Sequence, residues 1–334
     1  MSTIEQFNKY VMPSYGRYDL VLDKGEGRQA VDENGKKYID FGSGIGTNSL
    51  GYCNEDWVKA VCDQAHRIQH TSNYYYTKVQ ADFAKALCET AGYTDMFFGN
   101  SGAEANECAI KIARKYSFDK YGKGRHNIIT LVNSFHGRTL CTLSATGQDV
   151  FHNYFFPFVE GFINVEANNI KDLRAKLDDT VCAVMFEYVQ GEGGVMALQQ
   201  DFVDEIFRLC AEKDVLTIAD EVQTGVGRTG KFLAGDNFGK KADLTTLAKG
   251  TCRRRSDRRV PFRREVRESP HARNPRLHIR RQPHFLRRRT GGAQHRQQAR
   301  IPGRGRKERR LLPQEAADFP GGRFRFRNRH DDRY

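Results

Sequence analysis

After Gly250 the chain changes character, and that break decides which part of it can fold. Residues 251 to 334 hold 27 of the 54 Lys and Arg residues but only 8 of the 41 Asp and Glu residues, a net of +19. The first 250 residues therefore carry 27 basic and 33 acidic side chains, a net of −6, so the overall +13 belongs to the tail. Seven of the nine prolines lie in that tail, Lys307 is its single lysine, and no apolar period of 2 or 3.6 runs through it. Such a segment buries too little apolar surface to offset the entropy of ordering it.

A run of arginines ordinarily points to a nucleic-acid or acidic-surface partner, and a basic binder acting through residues 251–334 is one reading. A change of reading frame explains more. Written as codons and read one base later, Thr251 to Arg259 permits L-A-G-G-V-P-I-G-A, and His271 to Arg289 permits T-P-G-T-H-A-S-T-F-G-G-N-P-I-S-C-A-G-A. Phe319 onward permits a string ending S-V-S-G-I-G-M-M-I-G. The first and third letters of each recovered codon are largely forced, so chance does not readily give long glycine-punctuated apolar strings. The tail is read as an out-of-frame translation from about residue 251, expected to be disordered.

Upstream, strand and helix signals alternate. Ile128–Val132, Val181–Phe186 and Val215–Ala219 are short apolar, β-branched runs, and Phe202 to Ala211 places Val203, Ile206, Phe207 and Cys210 on one helical face. This order predicts an α/β layer with a mostly parallel central sheet flanked by helices, its active groups at the carboxyl ends of strands. Residues 1–60 read as an amino-terminal segment with a hairpin turning at Glu33-Asn34-Gly35, and 61–250 as the main domain. No signal peptide or membrane-length apolar run is visible, and seven scattered cysteines without C-x-x-C pairs suit a reducing, cytoplasmic setting. Cys62, His66 and His70 recur every four residues, but with no fourth ligand nearby no metal is assigned.

Asp220 stands directly after one strand, in Asp220-Glu221-Val222-Gln223-Thr224-Gly225, and Lys249 follows the apolar stretch Leu244–Ala248. An acid so placed between Ala219 and Val222 needs a cation, and partial burial frees a lysine amine as a nucleophile. Together they can hold pyridoxal phosphate, whose aldehyde condenses with an amine and whose ring nitrogen needs a carboxylate. Ser101-Gly102-Ala103-Glu104 opens a helix whose exposed amides suit a phosphate, though the same spacing is also an ordinary capping box. In Ser134-Phe135-His136-Gly137-Arg138, Phe135 can stack on a planar group and Arg138 can clamp a carboxylate, while His136 reads as structural. Glu187 and Glu192 fall in a loop after a buried strand, where two carboxylates could face a cavity, with solvated loop acids as the default.

In this order the motifs resemble the class III, fold-type I aminotransferases over residues 4–250, and within them the acetylornithine aminotransferase subgroup. Val11 to Arg17, Lys24 to Gly27, Asn48 to Gly51 and His70 to Asn73 carry the subgroup's pattern. The resemblance implies that Lys249 bonds the cofactor aldehyde, Asp220 pairs with the pyridine nitrogen and Gln223 approaches the ring hydroxyl. It also implies that Ser101, Gly102 and Ala103 hold the phosphate, that Phe135 stacks on the ring and that Val222 belongs to the cofactor set. Arg138 takes a substrate carboxylate, and Tyr15 and Glu192 complete the substrate set. The implied reaction turns N-acetylornithine and 2-oxoglutarate into N-acetylglutamate semialdehyde and glutamate, in arginine biosynthesis, by a homodimer. Ornithine, succinylornithine and 4-aminobutyrate remain alternative donors. In the family, a T-F-G-G-N-P segment after the lysine gives a threonine to the partner's phosphate and a carboxyl-terminal small domain adds an arginine. Neither stands in frame here, so the large domain is expected to be incomplete and the chain inactive or impaired.

Overall fold

Strands that are apolar on both faces need helices on both sides, and the first 250 residues supply them. The computed structural model describes residues 1–251 and the backbone of a strand at 258–262. In chain order the helices are α1 (Thr3–Tyr10), a short irregular α2 (Ser43–Gly46), α3 (Glu55–Arg67), α4 (Lys78–Ala91), α5 (Gly102–Tyr121), α6 (Leu140–Ala145), α7 (Ile170–Lys176) and α8 (Gln200–Lys213). The strands are β1 (Leu22–Glu26), β2 (Gln29–Asp32), β3 (Lys37–Ile39), β4 (Asp95–Gly99), β5 (Asn127–Leu131), β6 (Phe162–Val165), β7 (Val181–Phe186), β8 (Val189–Gln190), β9 (Met196–Ala197), β10 (Leu216–Asp220), β11 (Leu244–Thr246) and β12 (Arg258–Phe262).

Seven of these strands form one sheet in the order β4-β12-β11-β10-β7-β5-β6. The pairs β11·β10, β10·β7, β7·β5 and β5·β6 are parallel, and β12 alone runs antiparallel to both neighbours. Side chains divide between the two faces by the strand period of two. Val184 and Phe186 pack with Phe202, Val203 and Ile206 of α8, whereas Ala183 and Met185 pack with Ala105, Ala109 and Ala113 of α5. The three alanines recur every fourth residue with no exposed surface, so α5 lies close against the sheet. Ser101 caps this helix by accepting from the Glu104 N–H at 3.0 Å.

β1 to β3 form a separate antiparallel sheet, where Asp32 accepts from the N–H groups of Asn34 and Lys36, each at 2.9 Å, in the turn. β12 belongs to the segment read as out of frame. Its backbone pairs with Asp95–Gly99 along the whole strand and with Leu244 at one position. Backbone pairing does not depend on side-chain identity, so an extended segment of any sequence can close a slot between two strands, although Pro261 gives no N–H to the ladder. The remainder of that segment lies outside the described residues. Among the described residues no helix is long and apolar enough to cross a membrane.

Candidate active site

Asp220 ends β10 and is buried, with 3% of its surface exposed. Its Oδ2 accepts from Nδ2 of Asn106 at 2.8 Å and from Nδ1 of His136 at 2.8 Å, and its Oδ1 accepts from the Val222 N–H at 3.0 Å. The partner of this acid is His136, whose side chain is fully enclosed and which is a cation when protonated. Burial works against a charged imidazole, but the hydrogen bond and charge of Asp220, with the charge of Glu187 behind them, outweigh it and raise the ring's proton affinity above the ordinary value. Asn106 also donates to the His136 carbonyl at 2.7 Å, and the His136 N–H donates to Oγ1 of Thr146 at 3.0 Å.

Lys249 lies two residues beyond the buried Leu247, and its backbone N–H donates to the Val222 carbonyl at 3.0 Å. Its Nζ donates to Oε1 of Gln223, so the amine and the acid's neighbouring loop meet as the sequence motifs require. Gly102 shows how closely α5 approaches: a Cβ there would lie 2.8 Å from Cγ1 of Val222 and 3.4 Å from Cβ of Ala248. Likewise, a Cβ on Gly137 would lie 2.8 Å from Cβ of Ala103. The start of α5, the Asp220–Gln223 turn, the Ala248–Lys249 turn and the Phe135–Arg138 loop therefore converge at the carboxyl end of the sheet.

Phe135 is half-buried, its ring edge-to-face with Phe151 at 5.6 Å, and its N–H donates to Oε2 of Glu187 at 3.0 Å. Arg138 is exposed and donates to the Tyr15 hydroxyl at 3.0 Å, with its guanidinium 5.4 Å from the Tyr15 ring centre. These two residues, far apart in sequence, form one polar corner. Glu187 is buried and Glu192 exposed, so the two acids of that loop separate. Burial pushes the Glu187 carboxyl up to about 7; His136 pulls against it and the Asp220 charge adds to it. Glu221, beside Asp220 in sequence, turns away and accepts from the N–H groups of Ala234 at 2.6 Å and Gly235 at 3.0 Å. Its burial also pushes the carboxyl up to about 7.

Sequence reasoning passed over Asn106, Thr246 and Thr146. Asn106 is buried on α5 next to Ala105, and its Asp220 partner lies 114 positions away, so no local pattern marks it. Thr246 Oγ1 stands 3.4 Å from Asp220 Oδ1. The buried atoms His136 Nε2, Asn106 Oδ1 and Thr224 Oγ1 have no hydrogen-bond partner among the described residues, which fits a site built to receive a further polar group. A groove of about 510 Å³ reaches Gly250 and Thr251 and is lined by Ser49, Trp57, Ile68 and Phe83 among others. Nδ1 of His66 bonds the Cys62 carbonyl at 2.8 Å, and no cluster of metal-ligating side chains occurs among the described residues.

The chain matches the class-III aminotransferase family over residues 10–253. It is 51% identical over 242 residues to the acetylornithine aminotransferase of Haemophilus ducreyi, an overlap of 72% of this chain and 62% of that protein. It is 48% identical to the enzyme of that name from Caldanaerobacter subterraneus, with the same coverage. Among solved structures it is similar to ornithine aminotransferase from Toxoplasma gondii, with a TM-score of 0.75 and 32% identity over 80% of this chain and 64% of that one. A second structure of that Toxoplasma enzyme shows partial occupancy of pyridoxal phosphate at its active site. N-acetylornithine aminotransferase from Stenotrophomonas maltophilia aligns with a TM-score of 0.67 and 31% identity, over 80% of this chain and 66% of that one. The chain spans about 62% of the length of the curated relatives it matches. With its parallel sheet and its Asp220 and Lys249 turns, it belongs to the class-III aminotransferases.

Proposed function

We propose that this chain carries the cofactor-binding half of a pyridoxal-phosphate-dependent aminotransferase that uses N-acetylornithine as amino donor and 2-oxoglutarate as acceptor. The observation that carries the reading is the convergence on the start of α5 of two turns, one holding a buried Asp220 bonded to His136 and the other holding the Lys249 amine bonded to Gln223. The donor assignment rests on the relatives' names and on the amino-terminal motifs. When bound, the cofactor supplies an electron-accepting ring that stabilises negative charge on a substrate carbon.

The chain's own groups divide the remaining work. Asp220, held by Asn106 and His136, offers a fixed negative charge to a protonated ring nitrogen. Lys249 would supply the amine that holds the cofactor aldehyde and, as a free amine, a group able to take up and return a proton. Gln223 orients that amine. Ser101, Gly102 and Ala103 present the amides of the α5 start to a phosphate, with Gly102 leaving room for Val222. Phe135 would cover the cofactor ring. Arg138, steadied by the Tyr15 hydroxyl, binds a substrate carboxylate, and Glu192 lies on the exposed loop where the donor enters.

The domain reading is part of the proposal: an amino-terminal segment to residue 60, a large domain to 250, and an out-of-frame tail beyond. The family match ends at residue 253, which supports that boundary. The chain is therefore impaired in turnover relative to a version with the frame restored. A homodimer is proposed because Phe41, Ile45, Leu50, Tyr74, Tyr75 and Tyr76 expose large apolar surface. The seven free cysteines among the described residues suit a reducing, cytoplasmic setting.

The test is amino-group exchange by the frame-restored protein with N-acetylornithine, ornithine, succinylornithine and 4-aminobutyrate, each against 2-oxoglutarate. Preference for N-acetylornithine supports the reading, and activity confined to another donor overturns the donor assignment.

A further inference from the structure

The β7·β10 register pairs Phe186 with Ala219, so the next residues, Glu187 and Asp220, stand side by side at the carboxyl ends of neighbouring strands. Both are buried, and each grips a different part of the same loop. Asp220 holds the His136 ring. Glu187 Oε2 accepts the Phe135 N–H at 3.0 Å, while its Oε1 accepts the Gly191 N–H at 3.4 Å. Gly191 in turn lies against Gln223, since a Cβ there would strike that side chain. One carboxyl group thus joins the loop that carries the Phe135 ring to the loop that packs on the Lys249 partner.

The geometry points to Glu187 as a positioning residue for the cofactor site: it ties the Phe135 loop to the Gly191 loop and so fixes the stacking ring relative to Gln223 and Lys249. This rests on the cofactor reading above. Only a carboxylate offers an acceptor on both oxygens, whereas a glutamine turns an NH2 toward one of the two backbone donors. Keeping an acid in this enclosed place is unfavourable, because burial already drives it toward its protonated form. Stability alone is a weak reason to keep it there, and buried, perturbed acids cluster at functional sites.

The experiment compares the full chain with Glu187→Gln in two ways. Amide hydrogen exchange on the cofactor-free proteins follows segments 133–137 and 189–193, and pyridoxal phosphate titration follows affinity and the circular dichroism induced in the bound cofactor. Expected are about tenfold faster exchange confined to those two segments and a cofactor Kd raised about tenfold, with altered induced dichroism. Unchanged exchange overturns the tie. Faster exchange with unchanged affinity and dichroism overturns the positioning role. A parent chain that takes up no cofactor overturns the function proposed above and this role with it, whereas a parent and a variant that load equally well overturn this role alone. Should the glutamine variant lose protection throughout, Glu187→Asp replaces it. Its shorter arm cannot span both amides, so one of the two segments is expected to lose protection, and parent-like protection in both overturns the proposal.

Discussion

Oδ2 of Asp220 and Nδ1 of His136 lie 2.8 Å apart, and both side chains are enclosed. The pair resolves a conflict that the sequence poses, an ionisable acid at the end of an apolar strand, by giving it a proton donor on one side and the Asn106 amide on the other. Asp220→Asn keeps the shape but turns an NH2 toward donors. Unsatisfied buried groups cost about 1–3 kcal/mol each, so an unfolding free energy lowered by that order is expected, read as a lower urea midpoint. A midpoint equal to the parent's contradicts the arrangement.

The contact between Gly102 and Val222 is testable by a double-mutant cycle. A Cβ at Gly102 would lie 2.8 Å and 3.0 Å from the two Val222 methyl carbons. Gly102→Ala is expected to destabilise by about 1–3 kcal/mol as overpacking does. In the background of Val222→Ala, which removes those methyl groups, most of that loss should vanish. Additive effects would show that the two positions are not in contact.

Arg138 and Tyr15 form an exposed pair, so they contribute little to stability. Arg138→Ala should change unfolding free energy by less than about 1 kcal/mol. The same variant should weaken binding of 2-oxoglutarate by about tenfold or more, read by calorimetry on the cofactor-loaded protein. Strong destabilisation with unaltered binding would assign the arginine to the fold instead.

Glu221 gives a pH signature. Its carboxyl is raised by burial from 4.5 to about 7 in the folded protein. Between those pH values the unfolded chain releases the proton while the folded one retains it, so this group makes the folded state less favourable as pH rises. The stability advantage of the parent over Glu221→Gln should therefore shrink from pH 4.5 to 7, by up to ~3 kcal/mol. Parallel stability curves for parent and variant would contradict this account.

Much of this was legible in the residues. The runs at 181–186 and 215–219 become β7 and β10 because apolar stretches of that length between helices need cover on both faces. Asp220 and Lys249 stood out because each interrupts or follows buried apolar sequence. Asn106 did not, since its partner lies 114 positions away, and nothing local tells a helix-surface amide from one facing the sheet end. Glu187 reads as a loop acid beside Glu192, yet it is buried and Glu192 exposed. Its burial follows from the strand register beside Asp220, which no pattern within the loop records. His136 reads as structural and is indeed enclosed, but its partner is the acid at the centre of the site.

The most direct measurement is chemical. The full chain is saturated with pyridoxal phosphate, reduced with borohydride, digested and examined by mass spectrometry for the residue that carries the pyridoxyl group. The account predicts a single modified side chain, Lys249, and loss of both the modification and the visible absorption in Lys249→Ala. Modification of another lysine, or none in a folded and saturated chain, would contradict it.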